Sequence, residues 1–113
     1  MKHSVSINEA ANVLKLLGDP TRLTMMKLIQ YEACCVCEFV EIFHISQPAI
    51  SQHLRKLKDI GLDTEKRKGQ WVFYSINQSS EYYPLIEPIL NQLPSQKMKL
   101  NELEEKGIRM SCC

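Results

Sequence analysis

Apolar residues recur every three or four positions along most of this chain, and the exception is Leu62–Asn77, where the period drops to two. A chain that changes period only there folds as helices around a single hairpin. Four helices are expected before it. Ile7, Ala10, Ala11, Leu14 and Leu17 form the first apolar stripe, and Gly18 stops it. Asp19 suits an N-cap and Pro20 the first helical position, where its missing N–H costs nothing. That second helix turns Leu23, Met26, Leu28 and Ile29 inward and fades near Tyr31. A third is expected over about Cys35 to Phe43, with Phe39, Val40 and Phe43 inward. His44-Ile45 makes a short turn, Ser46 caps a fourth helix, and Pro48 is tolerated in its first turn. Ile50, Leu54 and Leu57 are its buried stripe, and Gly61 ends it.

In the hairpin, Thr64-Glu65-Lys66 runs up, Arg67-Lys68-Gly69-Gln70 turns, and Trp71–Ile76, rich in aromatic and β-branched residues, returns. A helix from near Pro84 or Leu85 then carries Leu85, Ile86, Ile89, Leu90 and Leu93 up to Pro94. A last polar helix covers about Ser95 to Lys106, with Met98, Leu100 and Leu103 apolar, and residues 108–113 are expected to be a loose tail. The expected fold is mainly α with a β-hairpin wing, a winged helix-turn-helix. Residues 1–94 would form the functional domain, and residues 95–113 a C-terminal helix with a cysteine-ended tail.

The 113 residues suffice for one core. No apolar run approaches the roughly 20 residues of a membrane span, and the start lacks a secretory h-region, so a cytoplasmic protein without membrane partners is expected. Catalytic signatures are absent: there is no Cys-x-x-Cys, no His-Glu-x-x-His and no glycine-rich phosphate loop, so an enzyme is not expected.

The formal net charge is only +1, but its distribution is uneven. From His53 to Gln70 there are six Lys/Arg against three acids, and from Glu81 to Lys106 five Glu against three Lys. A basic face of this kind is the electrostatic footprint of phosphate contacts. The fourth helix turns Gln47, Ser51, Gln52, Arg55 and Lys56 away from its apolar stripe. Glutamine reads adenine edges, arginine reads guanine edges, and serine serves base or phosphate. The candidate DNA face is therefore Ser46, Gln47, Pro48, Ala49, Ser51, Gln52, His53, Arg55 and Lys56, with Arg67, Lys68 and Gln70 at the wing. His53 is expected to face DNA or solvent. The partner would be double-stranded DNA.

Five cysteines, Cys34, Cys35, Cys37, Cys112 and Cys113, are clustered and odd in number. That pattern argues against a disulfide framework and for soft-metal ligation or redox sensing. On a regular helix Cys34 and Cys37 would share a face, while Cys35 and Cys37 would converge only if the first turn were extended or distorted.

Four segments carry a resemblance: Leu17-Gly18-Asp19-Pro20-Thr21-Arg22-Leu23, Cys35-Val36-Cys37-Glu38-Phe39, Ser46-Gln47-Pro48-Ala49-Ile50-Ser51-Gln52-His53-Leu54 and Gly69-Gln70-Trp71-Val72-Phe73-Tyr74. Over about Ala10 to Asn77 the chain resembles the ArsR/SmtB family of metal- and metalloid-responsive repressors. The resemblance implies a homodimer joined by its first and fifth helices, here Ile7–Leu17 and Leu85–Leu93. It would sit on a palindromic operator and leave when an ion binds. The resemblance also favours Cys35 and Cys37 as ligands, with Cys34 or the Cys112/Cys113 pair completing the site. Three thiolates suit As(III) or Sb(III), and four would better suit Cd(II), Pb(II) or Zn(II). A thiol redox sensor on the same fold is the alternative. The chain departs from the family in three places. Cys34 is an extra thiol beside the family pair. The fifth helix lacks the Asp/His set for zinc. Asp63 stands where an aliphatic residue usually opens the wing, so a short first wing strand is expected.

Overall fold

Six helices surround a three-stranded antiparallel sheet in the computed structural model, which describes residues 5–107. The helix α1 (Ile7–Leu16) opens with a capping box. Glu9 N–H donates to Ser6 Oγ at 3.1 Å, and Ser6 N–H donates back to Glu9 Oε1 at 2.9 Å. The next helix, α2 (Pro20–Tyr31), starts as expected. Asp19 Oδ1 accepts from the N–H groups of Thr21 and Arg22 at 2.8 and 3.2 Å.

The first departure comes next. Cys34–Cys35 is a two-residue strand, β1, not the start of a helix, and α3 covers Val36–Phe43 with Cys35 as its N-cap. Cys34 pairs with Tyr74 and Cys35 with Phe73. The turn is thus extended at Cys35, the case in which Cys35 and Cys37 and not Cys34 and Cys37 converge. His44, with φ 57°, turns the chain into α4 (Gln47–Asp59), where Ala49 N–H donates to Ser46 Oγ at 3.3 Å.

The strands β2 (Asp63–Lys68) and β3 (Trp71–Ile76) pair in register from Asp63–Ile76 to Lys68–Trp71. Arg67 and Lys68 are thus strand residues, and the loop is only Gly69-Gln70. Gly69, at φ 64°, takes the left-handed conformation that two-residue loops with glycine first require. Nor is the first wing strand short, since it starts at Asp63 itself. The sheet order is β1-β3-β2, so the returning strand touches both the wing and the cysteine segment.

Two helices follow the wing, α5 (Tyr83–Asn91) and α6 (Lys97–Glu105). The former begins a residue before the expected start and keeps Pro88 inside it. Val13, Met25, Met26, Leu28, Phe39, Ile50, Leu54, Leu57, Ile86 and Leu90 fill one core, and α6 adds Leu100 and Leu103. The apolar faces of α1 and α5 are divided. Val13, Leu17, Ile86 and Leu90 are buried, while Ile7, Leu14 and Ile89 remain exposed. Leu90 is thus a core residue of the chain itself.

Candidate functional site: a recognition helix, its wing and a thiol pair

The inward stripe of α4 is Ile50, Leu54 and Leu57, all buried. Helical geometry then fixes the outer ridges. Gln47, Ser51 and Arg55 stack four apart, as do Pro48, Gln52 and Lys56, and all six are exposed. Ser46 at the N-cap is exposed, and Ala49 is half-buried. Across a cleft of about 620 Å³ stands the wing. Ser51, Leu54, Arg55, Lys58 and Asp59 line the helix side, and Glu65 and Tyr74 the wing side. An ion pair of 3.1 Å between Lys58 Nζ and Glu65 Oε1 bridges it. Arg67, Lys68 and Gln70 are exposed at the wing's end, and Lys68 Nζ lies 5.9 Å from the Phe73 ring centroid. Arg55, Lys56, Arg67 and Lys68 are all exposed. Arg67 follows Glu65 on the cleft face of β2, while Lys68, one residue on, stands over Phe73 on the opposite face.

His53 differs from expectation. Its ring is half-buried against α2, and Arg22 Nη1 approaches His53 Nδ1 at 3.0 Å. Arg22 also donates from Nε to the Leu16 carbonyl at 2.8 Å and lies 3.9 Å from Asp19 Oδ2. Burial lowers the His53 pKa below its ordinary value. The Arg22 and Lys56 cations lower it further, against the opposing pull of Asp19. Burial alone would raise the Asp19 carboxyl, but the Arg22 and Thr21 N–H groups and the Arg22 charge outweigh it and hold it low.

The thiol pair sits where β1 becomes α3. Cys35 is extended, at φ −108° and ψ 169°, and Cys37 lies in the first helical turn. That break lets residues two apart converge, and the two Sγ atoms are 3.4 Å apart. Two bonds of about 2.3 Å to one ion would subtend roughly 95° at that separation. Such an angle is closer to pyramidal three-coordination than to a tetrahedron. Glu38, buried, accepts the Cys35 N–H at 2.8 Å and fixes the turn. Cys34 is also buried, and its Sγ donates to the Glu32 carbonyl at 3.3 Å. Successive strand residues point to opposite faces, so Cys34 and Cys35 diverge. Among the described residues, no group of three His, Cys, Asp or Glu is placed to hold a metal ion. Cys112 and Cys113 lie outside the described residues.

Residues 19–62 match the family model described as bacterial regulatory protein, arsR family. The arsenic resistance transcriptional regulator ArsR1 of Pseudomonas putida is 46% identical over 66 residues, 58% of this chain and 52% of that protein. A second regulator from the same organism, ArsR2, is 32% identical over 109 residues, 90% of this chain and 95% of its own length. This chain belongs to the ArsR family.

Among solved structures, HlyU from Vibrio cholerae N16961 superposes with a TM-score of 0.64 at 30% identity, covering 78% of this chain and 97% of that one. The family match runs from the Asp19 cap to Leu62, so it spans the thiol turn and α4 but not the wing strands. Among the described residues no helix is long and apolar enough to cross a membrane.

Two residues escaped the sequence reading. Arg22 was visible only as part of the Asp-Pro-Thr-Arg segment, and its partner lies 31 positions away. Asp63 was visible only as a departure from the family pattern. It is 3% exposed, and among the described residues neither carboxylate oxygen has a hydrogen-bond partner. Burial, reinforced by Glu65 and opposed by Lys58, lifts its pKa from 3.8 to about 7.

Proposed function

We propose that this ArsR-family chain is a homodimeric transcriptional repressor that leaves its operator when As(III) or Sb(III) is captured by cysteine thiolates. The observation that carries the reading is the convergence of Cys35 and Cys37 to 3.4 Å at the start of α3, the helix packed against α4. Relatives named for arsenic resistance support the same effector class. In the DNA-bound form, Gln47, Ser51, Gln52 and Arg55 of α4 would read base edges, with Ser46, Pro48, Ala49 and Lys56 beside them. Arg67, Lys68 and Gln70 would hold phosphates. The exposed Ile7 and Leu14 of α1 and Ile89 of α5 would be covered by a second copy, since a palindromic site needs two-fold symmetry.

The divergence of Cys34 makes the Cys112/Cys113 pair the better source of a third thiolate. From Ile108, six residues span at most about 20 Å extended, the reach within which the tail of the same or a partner subunit would have to meet the turn. Capture there would act on three elements together. Cys35 stands opposite Phe73 of β3 in the sheet, Glu38 holds its N–H, and α3 packs on α4. A shift of that turn would move the helix and the wing relative to one another. If the ion binds the DNA-incompetent form better, operator affinity falls by the same factor, about 5- to 150-fold for a coupling of ~1–3 kcal/mol. The test is a panel of As(III), Sb(III), Cd(II), Pb(II), Zn(II) and a metal-free oxidant on the reduced protein, with DNA release and thiolate absorption read together. Release by As(III) or Sb(III) at lower concentration than by the other ions supports the reading. Release by oxidant alone would assign the thiols to redox sensing instead.

A further inference from the structure

The side chain of Arg22 joins three elements at one point. Its Nε holds the last turn of α1 through the Leu16 carbonyl, its Nη1 reaches His53 on α4, and Asp19 at the start of α2 lies beside it. The side chain is 12% exposed. A guanidinium has donors only, so the Nδ1 atom that meets Nη1 at 3.0 Å must be the acceptor. His53 is therefore neutral in this arrangement, with its proton on Nε2. The charged groups around the ring are Asp19 and Arg22 of α2 and Lys56 of α4 itself. Protonation would turn Nδ1 into a donor facing a donor and set two cations about 3 Å apart.

We propose that Arg22 is a positioning residue for DNA recognition: it locks the orientation of α4 against α1 through a neutral His53, and acid opens the lock. The proposal rests on the DNA-binding reading above and deepens it. It assigns to the Asp19-Pro20-Thr21-Arg22 segment a task beyond capping α2. It also makes a prediction of unusual sign. A histidine that merely lay on a DNA face would gain charge in acid and strengthen phosphate binding. Here acid would weaken specific binding, because the ridge carrying Ser51 and Arg55 would lose its fixed angle.

The experiment uses the full chain and two duplexes. One is a palindromic duplex selected by the wild-type protein from a random library, and the other has scrambled sequence. Affinities are measured from pH 8 to pH 5.5 at fixed salt. Wild type should bind the selected duplex at pH 8 and lose about tenfold or more by pH 5.5. His53→Asn keeps an acceptor near the Nδ1 position and does not titrate, so its own affinity should fall less than threefold between pH 8 and pH 5.5. Arg22→Lys keeps the charge but not the three-way contact. It should bind the selected duplex at least tenfold more weakly at pH 8 and the scrambled duplex within twofold of wild type. Its helical circular dichroism is recorded alongside. If Arg22→Lys is not folded, the two His53 profiles decide alone. Identical pH profiles for wild type and His53→Asn, or tighter wild-type binding in acid, would overturn the lock while leaving the DNA reading intact. Failure of the wild-type protein to select any duplex would overturn both.

Discussion

Replacing Asp63 with Val should stabilise the fold at neutral pH and flatten its pH dependence. The carboxyl is 3% exposed, has no hydrogen-bond partner among the described residues, and has its pKa lifted from 3.8 to about 7. The attraction that opposes this comes from Lys58, which is itself engaged with Glu65 at 3.1 Å. An acid whose pKa is raised by folding binds its proton more tightly in the native state. Between pH 3.8 and about 7 the native chain then holds more protons than the unfolded one, so stability falls as pH rises through that window and stays low above it. At about 1.4 kcal/mol per pH unit, the interval amounts to roughly 4 kcal/mol above pH 7, an upper bound because water and side chains relax around the charge. Valine removes the charge and suits the pleated first position of β2. The gain expected at pH 8 is about 2–4 kcal/mol, or an increase in Tm of roughly 8–16 °C for a chain of this size. At pH 4.5 the gain should shrink to about 1 kcal/mol or less. Thermal and urea unfolding at pH 4.5, 6 and 8, at one protein concentration, measure both quantities. An Asp63→Val protein less stable than wild type at pH 8, or one with the wild-type pH slope, would refute the reasoning.

Arg55→Ala should cost about 1–3 kcal/mol in binding the selected duplex and relax specificity at one base pair, whereas Lys68→Ala should weaken all duplexes alike and lower the salt slope by roughly one, both read by fluorescence anisotropy. Ser46→Ala removes the acceptor for the Ala49 N–H and should cost about 1 kcal/mol in urea unfolding. Ile89→Asp, on the exposed part of α5, should leave the circular dichroism spectrum intact while shifting sedimentation towards monomer; an unchanged dimer would exclude this face as the interface.

The recognition helix was legible because its signals are local. A serine cap, a proline in the first turn and a stripe at Ile50, Leu54 and Leu57 all act within a few residues. The strand character of Cys34–Cys35 was not, because it comes from pairing with Tyr74 and Phe73 some forty positions on. The same holds at the wing. Arg67-Lys68-Gly69-Gln70 looks like a turn by composition, but the cross-strand register carries pairing up to Lys68 and Trp71 and leaves two residues to turn. Periodicity showed that α5 has an apolar face, yet Leu90 and Ile89 differ only in what packs on them, core for one and solvent for the other. The Cys35 and Cys37 pair was named from the sequence. What permits it is an extended N-cap residue, held locally by Glu38 and kept extended by its non-local pairing with Phe73. The bond between Arg22 and His53 left no local trace at all.

The central claim is that Cys35 and Cys37 are the trigger for DNA release. It is tested most directly by titrating As(III) into complexes of the selected duplex with wild type and with the Cys35→Ser/Cys37→Ser double variant, both reduced, and following anisotropy. Serine is nearly isosteric but a poor soft-metal ligand, so both proteins should bind the duplex with similar affinity before addition. Wild type should then release it, less readily at lower pH where protons compete for the thiolates, and the double variant should stay bound. Release of the double variant at the wild-type As(III) concentration would contradict the account.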